Sequence, residues 1–507
     1  MPANNPISLS VKPWEPDLPA FASGKSSNVR NVLPRTQLSY GPFPNLSTYS
    51  TSPLGARCQG AYAGIDAAGN VNVFCGTSSD LYRMTASATT FTNVSKSVGG
   101  YNVAADEFWR FTLFGQRIIA TNISDNIQSF VIGTDTAFSD LSANAPKARY
   151  IATIKNFVMV GNTYDPVGGE GPQRVWWSAF NTPGLWPAIG SASAAAQQSD
   201  YNDFPGEGGW IQGIVGNLGT ADGAIFQEHA VWRAIYSGPP NIFDFAPAEG
   251  VRGTPAPSSI VQLGAFVYYL GEDGFYIFDG TSSKPIGANR VDKTFFADLD
   301  QSYISRVYGA VDPINKIVFW AYPGQGHNQG NPNHIIAYNW VLDRWSIADI
   351  ETEIIFRTLS FGYTLDDLDS TGYNLDNLPF PLDSRAWTGG ALQLAAFDSN
   401  HNLSYFSGSN LAPTVETEEI QPFNGQRAFI RNTRPIVDGG SPSIAIGTRE
   451  LTENSTTFGS AVAMNSLGWC PQRASGRYVR AKLTLPAGSS FTHIQGAQID
   501  ADPVGAR

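Results

Sequence analysis

Short apolar runs bounded by Gly, Asn and Asp recur from about residue 56 to residue 408. Gln59 to Asp66 and Asn70 to Cys75 flank Ala67-Ala68-Gly69, and Asp80 to Met84 follows. Phe108 to Phe111 and Arg117 to Ala120 flank Phe114-Gly115-Gln116, with Ile127 to Phe130 next. Phe157 to Gly161 precedes Arg174 to Ser178, and Ala224 to Phe226 precedes Ala230 to Tyr236. Ala265 to Leu270 and Phe275 to Phe278 are split by Glu272-Asp273-Gly274. Val307 to Val311, Lys316 to Tyr322, His334 to Asn339 and Trp340 to Trp345 form a further group, and Ala391 to Phe397 with Leu403 to Phe406 a last one. Runs this short, closed by turn formers, predict strands and not helices.

The groups repeat at a spacing of about 40 residues, which is the signature of β-propeller blades. One blade cannot bury both its faces, so the blades must stack around an axis. The pattern therefore predicts an all-β chain with a propeller body over residues 56–408, of six or seven degenerate blades. No Trp-Asp or Kelch signature recurs, and a pair of β-sandwiches fits the same runs. Residues 1–55 lack periodicity and carry Pro13, Pro16, Pro19, Pro34, Pro42 and Pro44. Proline cannot donate to a ladder, so this reads as an extended N-terminal arm, with Trp14 packed on the body or a neighbour. Residues 409–507 change character, with Arg427, Arg431, Arg434, Arg449, Arg473, Arg477 and Arg480 among short alternating strands such as Tyr478 to Leu485. They predict a C-terminal β-sandwich-like domain.

Composition sharpens this picture. Of 507 residues, 42% are hydrophobic and only 15% charged, against roughly 25% charged in an average soluble domain. So low a charge predicts that much of the surface meets other protein. The net charge of −11 argues against a protein that grips nucleic acid, since that requires clustered Lys and Arg. It permits a wall past which DNA slides without sticking. Cys58, Cys75 and Cys470 are too few and too irregular for a disulfide framework or zinc site, and read as buried thiols. Neither a signal peptide nor a membrane-spanning apolar stretch is visible, so the expectation is a chain made in the cytoplasm.

Candidate chemistry is sparse. Gly24-Lys25-Ser26 ends like a phosphate-binding loop, but Pro19 stands where its first glycine is required. The histidines His229, His327, His334, His401 and His493 share no metal-ligand spacing, although His327 and His334 flank one polar turn. Glu228, Asp244, Glu249, Glu272 and Asp273 supply carboxylates for glycosidase-like pairs, and Trp176, Trp177, Trp186 and Trp210 supply rings that stack on sugars. The acidic loop Asp366 to Asp383 offers carboxylates for calcium without the spacing of a calcium loop. No G-x-S-x-G elbow occurs. The reading is a non-enzyme with no catalytic, cofactor or metal residues, whose C-terminal arginines pair with carboxylates at an interface.

Taken together, the chain resembles the hub or nozzle proteins of short-tailed bacteriophages, the group of tail tubular protein B and the packaged-DNA stabilisation proteins. The resemblance rests on the proline-rich arm with Asn28 to Pro34, Gly76 to Tyr82, and Phe108 to Phe111 before Gly115. Val175 to Ser178 with Trp186, the Leu-Asp loop, and the ending Gly476 to Arg480 complete it. It implies a propeller body, six copies in a ring, and a channel for genomic DNA retention and ejection. It also implies contact with a head-to-tail adaptor ring and with tail fibres or a tail needle, in a virion tail assembled in the host cytoplasm. The competing reading is a receptor-binding or polysaccharide-active propeller.

Overall fold

The computed structural model describes residues 6–85, 88–166, 168–361 and 389–505. Strands take 47% and helices 5%, which makes the chain all-β, as its short apolar runs require. The strands group into seven four-stranded antiparallel units in a propeller-like arrangement. Unit one comprises Gly60–Ile65, Val71–Gly76, Leu81–Thr85 and Thr92–Asn93. Unit two comprises Arg110–Phe114, Arg117–Thr121, Gln128–Val131 and Ser139–Asp140. Unit three comprises Lys147–Ile154, Phe157–Asp165, Gly169–Trp177 and Tyr201–Asp203. Unit four comprises Ile211–Gly216, Gly223–Gln227, Val231–Gly238 and Ile242–Glu249. Unit five comprises Val261–Leu263, Phe266–Leu270, Phe275–Phe278 and Ser283–Pro285. Unit six comprises Tyr308–Asp312, Ile317–Tyr322, His334–Asn339 and Arg344–Asp349. Unit seven comprises Ile354–Leu359, Leu392–Phe397, Leu403–Tyr405 and, as its outermost strand, Ser47–Thr48 from the N-terminal arm.

First strands lie beside one another: one by two, two by three, three by four, five by six, six by seven, and seven by one. Gln262 joins units four and five by donating to the carbonyl of Gly216, at 2.6 Å. Glycine permits this approach. A Cβ on Gly309 of unit six would sit 2.7 Å from the carbonyl oxygen of Ser259 and would overlap Val261. Second strands are the most buried. Val71–Gly76 and Ile317–Tyr322 are buried at every position, because each has a neighbour in its sheet on both sides and a neighbouring unit on each face.

The arm is sewn into three sheets. Ile7–Ser10 pairs with Ile494–Val504 near the C-terminus, and Ser47–Thr48 completes unit seven. Val29–Arg30 pairs in parallel with Arg344–Asp349 of unit six and antiparallel with Thr414–Glu416. Unit six and the C-terminal strands Thr414–Glu416, Tyr478–Thr484 and Ser443–Arg449 thereby form one ten-stranded sheet. The other C-terminal sheet runs Val32–Thr36, Ser39–Pro42, Ile494–Val504, Arg427–Val437, Cys470–Gly476. In Tyr478–Thr484, Val479, Ala481 and Leu483 alternate inward and their neighbours outward, the period-two pattern of a sandwich strand. Trp14 is 4% exposed and shares one apolar core with Val29, Trp320, Trp345, Ile444 and Val479. Its backbone N–H donates to the Tyr40 hydroxyl, which donates in turn to the carbonyl of Trp345. The C-terminal strands are thus continuous with the body through both the arm and the core. The acidic loop Asp366 to Asp383 lies outside the described residues.

Candidate functional site

Antiparallel order puts the turn between strands two and three of every unit, and the connector to the next unit, at one end of the array. Four of the five histidines stand at that end, and each is paired with a carboxylate across a unit boundary. His229, in the turn of unit four, meets Glu272 of unit five at 3.0 Å. His327, in the turn of unit six, and His334, which opens its third strand, meet Asp300 at 2.9 Å and Asp298 at 2.8 Å, both from the connector after unit five. His401, in the turn of unit seven, meets Glu353 at 2.5 Å, in the connector after unit six. The amide of Gly330 donates to Nδ1 of His327, so its Nε2–H is the group turned to Asp300.

Burial and hydrogen bonding set the carboxylates apart. Burial raises the Asp298 carboxyl, but His334 and the Tyr322 hydroxyl outweigh it and hold it below its usual range. Asp300 is lowered by His327 and by the amide of Ser302. Glu353 is fully buried, and burial keeps it raised although the Cys58 amide and His401 both favour its charge. The Cys75 thiol is pushed well up by burial and then by the neighbouring Cys58. Cys58, Cys75 and Cys470 are buried free thiols.

Asp292 opens the helix Asp292–Asp298 in the connector after unit five. Burial first, then the like charges of Asp17 and Asp273, push it up to about 7, against one amide bond from Phe275. A Cβ on either Gly274 or Gly287 would overlap its carboxyl, so two glycines make the room it occupies. Asp17 of the arm caps the same helix, accepting from the amides of Lys293 and Thr294 at 2.9 Å each.

An open cleft of about 440 Å3 lies between units three and four. Trp177, Phe204 and Phe243 are buried at its floor, Trp232 and Phe245 are half-buried, and Asp200, Asp203 and Asp244 rim it. Arg174 holds Asp203 with two bonds of 2.7 and 2.8 Å, whereas Asp244 is exposed and has no partner. Of the sugar-stacking and carboxylate residues named from sequence, the fold brings Trp177 and Asp244 together here. The others disperse. Trp176 and Trp186 are core, in edge-on contact at 6.2 Å. Trp210 is exposed. Glu228 accepts from the Trp210 amide and Gln212, Glu249 from the Ser283 amide, and Asp273 from the Tyr276 hydroxyl. Lys25 is bound to Glu15 at 2.9 Å and Ser26 is buried, so Gly24-Lys25-Ser26 is a tied turn. His493 bonds to the Ser39 hydroxyl at 2.8 Å.

First-strand residues of units one, five, six and seven, among them Tyr62, Gln262 and Arg357, line an open cavity of about 290 Å3. Five of the seven C-terminal arginines pair within the chain: Arg427 and Arg477 with Glu450, Arg431 with Asp502, Arg449 with Glu419, and Arg480 with Glu416. Arg434 and Arg473 remain exposed.

Sequence reading missed Asp292, Glu353, Asp298 and Arg174. Their setting is created by segments distant along the chain, and no local spacing marks it. The glycines at 274 and 287 were the one available signal for Asp292. Among the described residues no group of three or more His, Cys, Asp or Glu is placed to hold a metal ion, and no helix is long and apolar enough to cross a membrane. No protein-family model matches the chain, and no curated protein matches it significantly.

Proposed function

We propose that the seven units are the blades of a β-propeller, and that the chain is a structural hub or nozzle subunit of a short-tailed bacteriophage tail. Six copies stand in a ring there, between an adaptor ring and the fibres or needle, and genomic DNA passes without specific binding. The observation that carries this reading is the arm. One segment completes unit seven, bridges unit six to the C-terminal strands, and pairs with Ile494–Val504, so residues 7–48 and the C-terminal strands are tied into one body. Such tying suits a part that bears load more than one that opens and closes around a substrate. The inter-unit histidine–carboxylate pairs act in the same direction, spending titratable groups on cohesion. In this reading the DNA channel is the space enclosed by the ring of copies.

The cleft with Trp177 and Asp244 favours a second reading, a polysaccharide-binding or polysaccharide-active propeller of the tail. One pair of measurements separates them. A passive acidic conduit binds duplex DNA no more tightly than about millimolar at physiological salt, weaker than the usual non-specific range, and releases no sugar from host surface polysaccharide. Tight, salt-sensitive DNA binding contradicts the conduit. Polysaccharide cleavage that is lost in Asp244→Asn selects the second reading.

A further inference from the structure

A sheet's outermost strand leaves a row of backbone groups unpaired, and proteins keep such edges short or covered. Here the outermost strands of units one, two, three, five and seven are two or three residues long. That of unit six is covered by Val29–Arg30. Unit four differs. Its outermost strand Ile242–Glu249 has eight residues and pairs on one side only, with Val231–Gly238. Pro247 is its sole proline, a residue tolerated where the edge faces away from a ladder.

First strands such as Lys147–Ile154 also pair on one side only but lie beside the first strands of neighbouring units; among the outer edges of the described residues one other is long. Cys470–Gly476 has seven residues, ends the second C-terminal sheet, and pairs only with Arg427–Val437. The two edges differ in charge. Asp244 is exposed and has no side-chain partner on the first among the described residues, whereas Asp203 across the cleft is held by Arg174. Arg473 is exposed and unpaired on the second, with exposed Arg434 on the adjoining strand. In a chain of net charge −11, free arginines at an open edge are the exception.

We propose that the edge Ile242–Glu249 of one copy pairs with the edge Cys470–Gly476 of the next, with Asp244 facing Arg473. The occupant of each edge is a second copy of this chain, because each supplies the backbone row and the charge that the other lacks. Two different surfaces meet in this contact, so it is head-to-tail, and a head-to-tail contact closes into a ring when its rotation allows. The inference rests on the ring reading above and names the surfaces that would build it.

Native mass spectrometry and light scattering of the full chain test it. The wild type forms a closed oligomer. Asp244→Arg and Arg473→Asp, both at exposed positions, each raise the assembly dissociation constant at least about tenfold, since like charges then face each other. The double variant, with the pair reversed, returns to within about threefold of wild type. Hydrogen exchange gives a second readout: backbone amides in 242–249 and 470–476 are protected in the oligomer and exposed in the dilute monomer. An oligomer that forms equally well in both single variants, or with both edges unprotected, overturns this contact and leaves the ring reading standing. A wild-type chain that stays monomeric up to about 100 μM overturns the ring reading itself.

Discussion

Asp292 is the residue at which burial opposes charge most openly. Its carboxyl sits in a space bounded by two glycines, with one amide donor and two like charges near it. The folded pKa of about 7 stands above the unfolded value near 3.9. The folded state therefore binds more protons between those values, and this group's contribution to stability falls as pH rises through that window. Asp292→Asn imitates the protonated form. Its stability advantage over wild type is expected to be near zero at about pH 3.5, to grow between about pH 4 and 7, and to level off above, on the order of a few kcal/mol. Denaturant titrations of both proteins across that range measure it. A difference that does not change with pH contradicts the assignment.

The turn and connector end of the array holds the four histidine–carboxylate pairs, but the spacing of those residues along the chain gave no hint of it. His229 and Glu272 are separated by four strands and belong to different units. His401 and Glu353 are brought together because Ile354–Leu359 and Leu392–Phe397 run antiparallel. Only His327 and His334 showed in the sequence as neighbours, since one polar turn connects them.

Among the elements, the first strands show what periodicity does and does not reveal. Strands two and three of units one, two, five and six are legible because both faces are largely buried, which yields apolar runs such as Ile317–Tyr322 and Phe266–Leu270. First strands of units three, four, five and seven escaped notice. Ile211–Gly216 reads Ile-Gln-Gly-Ile-Val-Gly and Ile354–Leu359 contains Arg357 and Thr358, because strands near the axis need small or polar side chains where they converge. Outermost strands of two or three residues are too short for any period to register. In the arm, Val32–Thr36 and Ser39–Pro42 were hidden by their prolines, and the partners of Ile7–Ser10, Val29–Arg30 and Ser47–Thr48 lie hundreds of residues away.

Convergence at the axis makes its own prediction. Gly309→Ala places a Cβ against the Ser259 carbonyl, a backbone atom that cannot swing aside. The substitution is expected to lower stability by about 1–3 kcal/mol, the usual range for overpacking. Gly250→Ala, where a Cβ meets nothing within 4 Å, serves as the control and is expected to stay within about 0.5 kcal/mol of wild type. Equal effects at both positions contradict close packing of the first strands. A different outcome is expected for the arm. Removing residues 6–28 takes away Trp14, the pairing of Ile7–Ser10 and the cap that Asp17 gives to the helix Asp292–Asp298. Ser47–Thr48 remains to close unit seven, so the truncated chain is expected to fold with reduced cooperativity, with its C-terminal sheets exchanging amide hydrogens faster than the units. Uniform protection across the chain contradicts the arm's role as a tie.

At the scale of the whole molecule, three features point the same way. The segments at residues 7–48 and 414–504 are tied into one body, three unit boundaries are bridged by histidine–carboxylate contacts, and two long outer sheet edges are left open among the described residues. Each adds cohesion within a copy or offers a contact between copies. The most direct test of the central claim is electron cryomicroscopy of purified phage particles that contain this chain. The account predicts a ring of copies of the seven-unit body around the tail axis, below the adaptor, with DNA passing between copies and not through any one of them. A chain absent from the particle, or placed outside the axis as a peripheral spike, contradicts it.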